Sequence, residues 1–259
     1  MQIRFSKYQG AGNDFILIDD RANQVRPDVE VFNKLCDRRF GIGADGIMLV
    51  RNHKDFDFEM LYFNADGREG SMCGNGGRCI ATFARDLGIT GSESHFIAVD
   101  GPHRARITGE EVSLEMKDVN GIEINSGDYI LDTGSPHLVR MTSTLQELDI
   151  VSEGRSVRYN DRFRQEGINV NFVEPFADHY AVRTYERGVE NETYACGTGV
   201  TAVALAMAVK DKLYGDLKLR LQTKGGLLTV RFHRSGEQSF SGIYLSGPAT
   251  FVFKGEIFI

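Results

Sequence analysis

This chain of 259 residues lacks the features that mark the specialised protein classes. It has no positive excess: the formal net charge is −6, whereas a nucleic-acid partner calls for a basic face. The basic stretch Asp37-Arg38-Arg39 is too short to change that. No long apolar run occurs. The longest, Val200–Val209, is about half of the ~20 residues that cross a bilayer. The opening Met1-Gln2-Ile3-Arg4-Phe5-Ser6-Lys7 lacks the apolar centre of a secretory signal, so a cytoplasmic chain without membrane association is expected. Cysteine is scarce: Cys36, Cys73, Cys79 and Cys196 include no Cys-X-X-Cys pair, and the six histidines do not cluster at ligand spacing. Free thiols are therefore expected, with neither a disulfide framework nor a zinc site. Proline is also scarce, and no low-complexity or Pro/Ser-rich linker divides the chain.

What is present is a succession of short alternating or β-branched runs. Ile3–Tyr8, Phe15–Ile18, Phe56–Phe63, Ile168–Phe172, Tyr180–Tyr185, Leu217–Leu221 and Leu227–Phe232 are predicted strands. Asp66-Gly67, Asp100-Gly101 and Asn120-Gly121 mark turns between such runs. Three helices are predicted. One opens at Pro27-Asp28 and ends near Asp37. A second runs from just after Cys73 to Leu87, capped by Gly88. A third runs from just after Cys196 to Tyr214, capped by Gly215. Val200–Val209 is apolar on nearly every side, which predicts a helix buried all round with a sheet wrapped about it.

The sequence repeats itself. Gly12 in Gly10-Ala11-Gly12-Asn13-Asp14 corresponds to Gly134 in Thr133-Gly134-Ser135-Pro136-His137, an offset of 122 residues. Asn64 corresponds to Glu186 at the same offset, each closing a predicted strand. Cys73-Gly74-Asn75-Gly76 corresponds to Cys196-Gly197-Thr198-Gly199 at 123. Ordered landmarks at an offset near half the chain predict two similar domains related by a pseudo-twofold axis. Their Cys-Gly loops are expected to face each other across a cleft.

Each such loop puts a cysteine just before glycines and the first turn of a helix. Glycine lets backbone approach a ligand, and the helix start presents unpaired N–H groups to an anion. The same environment favours thiolate over thiol. Two such groups on opposite sides of a carbon, one ionised and one protonated, could invert its configuration without metal or pyridoxal phosphate. Cys36 and Cys79 lack this setting and are expected to be inert core residues. Gly41-Ile42-Gly43-Ala44-Asp45-Gly46 spells a dinucleotide fingerprint, but it precedes a strand instead of opening a helix, so it is expected to be a turn.

These stretches, together with Phe63-Asn64-Ala65-Asp66-Gly67, Met72–Cys79, Tyr185-Glu186-Arg187-Gly188 and Ala195–Gly199, resemble the diaminopimelate epimerases over nearly the whole chain. The resemblance implies an α/β protein (of α+β character) with two pseudo-symmetric domains, each a curled, mostly antiparallel sheet around a central helix. The expected domains are residues 1–115 with 250–259, and 116–249. It further implies cofactor-independent interconversion of LL- and meso-2,6-diaminopimelate in lysine and peptidoglycan precursor synthesis, by a homodimer. Cys73 and Cys196 match the catalytic pair. Asn13, Asn64, Gly74, Asn75, Asn169, Glu186, Arg187, Gly197 and Thr198 match substrate-binding positions, with His137 and Ser135 as further candidates. Ser135 stands where the family often has Asn, and the segment between Arg187 and Cys196 is one residue longer than the common pattern. The alternatives are a two-cysteine racemase of another amino acid and, from a different class, a redox or metal sensor using the same thiols.

Overall fold

The computed structural model describes residues 2–70 and 72–258. Met1 and Ile259, which close the expected first domain, lie outside the described residues. The chain divides into two compact units. The first runs up to Leu114 and resumes at Gly247, and the second is Glu115–Ser246. The second boundary falls three residues before the expected one, inside a continuous strand.

In the first unit β1 (Gln2–Gly10) and β2 (Asn13–Asp19) form a hairpin, followed by α1 (Val29–Cys36), β3 (Gly46–Arg51) and β4 (Phe58–Asn64). Then come α2 (Gly74–Asp86), β5 (Glu93–Ala98), β6 (Gly101–Thr108) and β7 (Glu111–Glu115). The second unit holds β8 (Val119–Asn120), β9 (Glu123–Asn125), β10 (Asp128–Asp132), β11 (Pro136–Met141), α3 (Ile150–Arg158), β12 (Asn169–Pro175) and β13 (Tyr180–Glu186). It continues with β14 (Asn191–Thr193), α4 (Gly197–Lys210), β15 (Gly215–Thr223), β16 (Gly226–Arg234) and β17 (Ser239–Pro248). The last strand, β18 (Thr250–Phe258), returns to pair antiparallel with β1 of the first unit.

The repeat is written into the ladders. In the first unit β1–β2 is antiparallel, β2–β3 parallel, β3–β4 antiparallel, β4–β5 parallel, and β5–β6 and β6–β7 antiparallel. In the second, β10–β11 is antiparallel, β11–β12 parallel, β12–β13 antiparallel, β13–β15 parallel, and β15–β16 and β16–β17 antiparallel. One alternation of mostly antiparallel pairs thus occurs twice in one order. A parallel pair needs a crossover, and α1, α2, α3 and α4 lie in the four segments that link the parallel pairs.

Each sheet carries a different helix on each face, because side chains alternate along a strand. Ile16, Ile18, Ile47, Leu49 and Phe63 pack on Phe32 and Leu35 of α1. Met48, between them in sequence, points the other way onto Gly76 of α2. In the second unit Val170, Phe172 and Tyr185 pack with Ile150 and Val157 of α3, while Asn171 points onto Gly199 of α4. The Val200–Ala208 run of α4 is buried throughout, as its all-round apolar surface predicts. Burying each large side chain there, such as Leu205 or Met207, stabilises the unit by about 1.5–3 kcal/mol.

Several local expectations need correction. A fourth helix, α3, occurs among the described residues. Its Gly154 argues against helix in the sequence, yet a Cβ there would meet Tyr185 Cβ at 2.3 Å, so close packing demands the glycine. Asp149 caps it by accepting from Ser152 N at 3.1 Å. The helix α4 ends at Lys210 rather than Tyr214. The left-handed turn after it falls on Lys212, φ 54°, and Gly215 opens β15. Gly88 does take the left-handed conformation after α2, at φ 72°, and Gly41–Asp45 is irregular chain leading into β3.

Candidate active site

The N-terminus of α2 lies at the sheet end where β2 and β3 begin and β4 ends. Phe15 pairs with Gly46, and Gly46 with Asn64. Cys73 is the N-cap of α2: its backbone is extended and its Sγ accepts from Gly76 N at 3.1 Å. Sulfur here takes the role that a Ser or Asp oxygen usually plays at a helix start. Gly76 leaves room for its neighbours, since a Cβ would sit 2.6 Å from Met48 Cε, which would have to move, and 3.1 Å from Cys73 Sγ. Asn75, two residues after Cys73, is buried and donates to Asn13 Oδ1 at 2.7 Å. Asn13 in turn donates to Asp45 Oδ2 at 2.7 Å. Arg38 binds both Asp45 and Asp14, and Lys7 also binds Asp14. Burial alone would raise the Asp14 carboxyl, but hydrogen bonds from Arg38 and Lys7 outweigh it and hold the carboxyl well below the usual range. Asn64, exposed at the end of β4, is therefore beside Gly46 and on the same rim as Asn13.

The second unit builds the same corner from different side chains. His137 pairs with Asn169, and Val170 with Tyr185, so Asn169 and Glu186 lie at one sheet end with the start of β11. Asn169 donates to Ser135 Oγ at 2.8 Å and to Pro136 O at 3.0 Å, and its Oδ1 accepts from Arg187 N at 2.9 Å. This amide holds Ser135 and Arg187 in place at once. The Arg187 guanidinium donates to Glu166 O at 2.9 Å, and its charge acts on His137. Cys196 is the N-cap of α4 but makes no cap hydrogen bond with its side chain. Its Sγ lies 3.5 Å from Thr198 Oγ1 instead. Gly199 is required because a Cβ would fall 2.4 Å from Asn171 Oδ1.

His137 is fully buried, and burial, reinforced by the Arg187 charge, pushes its pKa down to about 3. It is a neutral imidazole at physiological pH, and its neighbours select the tautomer. Thr184 Oγ1 donates to Asn171 Oδ1 at 2.9 Å, which turns the Asn171 Nδ2 toward Leu138 O at 3.0 Å and His137 Nδ1 at 3.2 Å. The Nδ1 atom must accept, so Nε2 carries the proton and donates to Thr198 Oγ1 at 2.9 Å. The Thr198 hydroxyl proton is then free to point at Cys196 Sγ. Thr133 Oγ1 donates to Thr198 O at 2.9 Å and holds the same residue from its backbone.

Every candidate from the sequence belongs to one of these two corners: Cys73, Gly74, Asn75, Asn13 and Asn64 to the first, and Cys196, Gly197, Thr198, Asn169, Glu186, Arg187, His137 and Ser135 to the second. Sequence reasoning missed Asp45, Asn171, Thr133 and Thr184. Asn171 was legible: Ile168–Phe172 alternates, and a second amide two residues after Asn169 shares its side of β12. Cys36 and Cys79 are buried, and burial pushes both thiols up to about 12.

The diaminopimelate epimerase sequence profile matches residues 5–131 and again residues 129–252. The chain belongs to the diaminopimelate epimerase family. The profile's two passes reproduce the internal repeat. The diaminopimelate epimerase of Flavobacterium psychrophilum is 45% identical over 259 residues, covering 98% of this chain and 100% of that one. The diaminopimelate epimerase of Chlorobaculum tepidum is 42% identical, covering 96% and 98%. The fold is shared more widely than the family. A PhzF-family phenazine biosynthesis protein of Bacillus anthracis superposes with a TM-score of 0.80 at 16% identity, covering 100% of both chains. A hydroxyproline epimerase of Agrobacterium vitis does so at 0.72 and 12%, covering 99% and 92%. Among the described residues, no helix of this family member is long and apolar enough to cross a membrane.

Proposed function

We propose that this family member interconverts LL- and meso-2,6-diaminopimelate, with Cys73 and Cys196 as the two acid–base groups at the α-carbon. The observation that carries the reading is the Cys-Gly-X-Gly helix start present once in each unit. One thiolate removes the α-proton on one side of the carbon, and the other thiol delivers a proton to the opposite side. The α-carboxylate rests on first-turn N–H groups of Gly74, Asn75, Gly197 and Thr198, where the helix ends also stabilise the carbanionic charge. Asn13 positions Asn75, and His137 positions Thr198.

The substrate's distal ammonium and carboxylate do not react and must be held to decide which stereocentre meets the thiols. Arg187 offers a planar fork to the carboxylate and Glu186 an acceptor to the ammonium, with Asn64 and Asn169 supplying neutral hydrogen bonds. That demand for a second charged end separates this reading from a racemase of a simple amino acid. No metal or organic cofactor enters the scheme. We further infer that the enzyme is a cytoplasmic homodimer. The exposed Phe251, Val252, Phe253 and Phe258 of β18 support an association surface.

The deciding experiment is turnover of LL-diaminopimelate in heavy water. Early product should carry deuterium at the inverted centre while recovered substrate stays unlabelled. Equal early labelling of both would indicate one exchanging base and overturn the two-thiol assignment. Cys73→Ala and Cys196→Ala should each abolish epimerisation.

A further inference from the structure

Arg78 is the largest fully buried side chain among the described residues, and it stands on α2 five residues after Cys73. Its guanidinium donates to Pro248 O at 3.4 Å, Gly74 O at 3.2 Å and Asn75 Oδ1 at 3.0 Å. All three acceptors are neutral. Removing a cation from water without an anion is expensive, and the guanidinium does not escape by losing its proton. Burial lowers its pKa, and the charges that act in the opposite direction are those of Cys79 and Cys73. Cys79, fully buried and pushed up to about 12, stays a neutral thiol. Among the described residues, that leaves Cys73, at the start of the same helix, as the group whose charge acts to offset the Arg78 cation.

Other ionisable groups on the elements around α2 have partners of their own. Lys7 of β1 binds Asp14 of β2, and Tyr8 of β1 donates to Asp86. Arg38 binds Asp14 and Asp45, Arg51 of β3 binds Asp20, and His103 of β6 contacts Asp100. On β18, Glu256 binds Arg4 and the Lys254 side chain is exposed. In the second unit, the position matching Arg78 at an offset of 123 is Thr201, whose hydroxyl donates to Gly197 O at 3.0 Å. The two corners therefore share a backbone and differ in charge: a buried cation underlies one and a hydroxyl the other.

We propose that Arg78 is the counter-charge of the Cys73 thiolate, so that Cys73 rests ionised and Cys196 rests protonated. The inference depends on the two cysteines being the acid–base pair. Arg78 is a positioning residue: it holds Gly74 and Asn75 and acts on Cys73 without touching the substrate. Turnover begun in this resting form takes the α-proton onto Cys73 and gives the Cys196 proton to the product. The free enzyme then returns a proton from Cys73 to solvent, and Cys196 takes one up. The reverse reaction must start from the less populated form.

The test is the pH dependence of iodoacetamide alkylation, read separately at Cys73 and Cys196 by peptide mass spectrometry. In the unmodified protein, Cys73 should reach half-maximal reactivity at the lower pH. Arg78→Met should raise the Cys73 midpoint by about one pH unit or more, the size a nearby opposite charge produces, and leave Cys196 unmoved. Arg78→Lys should fall between them. If Arg78→Met does not fold by thermal unfolding, the order of midpoints in the unmodified protein and the Arg78→Lys shift still decide. A Cys196 midpoint at or below that of Cys73, or a Cys73 midpoint unmoved in a folded variant, overturns the proposal. The heavy-water assay on the same samples separates the two readings. Normal epimerisation with equal midpoints removes only the role of Arg78, whereas absent epimerisation removes the acid–base pair itself.

Discussion

His137 Nε2 lies 2.9 Å from Thr198 Oγ1, and that hydroxyl lies 3.5 Å from Cys196 Sγ. A neutral ring thus sets the orientation of the group beside the second thiol. Protonating His137 would turn Nδ1 into a donor against the Asn171 amide hydrogen, and the chain of hydrogen bonds would break.

Stability should therefore depend on pH through His137. The unfolded chain takes up a proton near pH 6.5, while the folded protein resists until about pH 3. Between these values the unfolded state binds more protons, so stability should fall as pH drops through that window. The loss should reach a few kcal/mol, taking each unit as about 1.4 kcal/mol. Urea unfolding across this range, compared between the native chain and His137→Asn, checks it. An equal slope in both would show that other groups carry the acid sensitivity.

Gly199→Ala should destabilise the second unit and impair turnover together. The added carbon meets Asn171 Oδ1 at 2.4 Å, and Asn171 is held by Thr184, Leu138 and His137, so it has little room to yield. A cost of about 1–3 kcal/mol is expected from overpacking, visible as a lowered Tm. Native Tm and native kcat in this variant would contradict the packing described at the start of α4.

Arg187→Met should reduce kcat/KM for diaminopimelate by about 2–4 kcal/mol in barrier terms, the cost of stranding a buried charge partner. Remote binding energy positions the reacting carbon, so kcat should fall as well as affinity. Steady-state kinetics and analogues lacking the distal amino or carboxyl group measure this. Equal turnover of a monoamino acid by the unmodified enzyme would remove the diaminopimelate specificity and leave the thiol chemistry standing.

The sequence by itself determined the features that rest on local pattern. Alternation marked the strands, Gly88 marked the end of α2, and the all-apolar surface of Val200–Val209 marked a helix buried on every side. The offset of 122–123 residues marked the duplication, because two copies of one fold need the same turns and the same helix starts in the same order. Cys73 and Cys196 were visible for that reason. Tertiary structure alone decided the rest. Which strands pair in parallel depends on crossovers that no short window contains. α3 forms despite Gly154 because Tyr185 fills the space a side chain would need. Asn171 fixes the His137 tautomer only because β12 and β11 are neighbours in parallel register. Arg78 reads as an ordinary helix residue in the chain; its burial without a carboxylate, which makes its charge matter to Cys73, arises only when the sheet closes over α2.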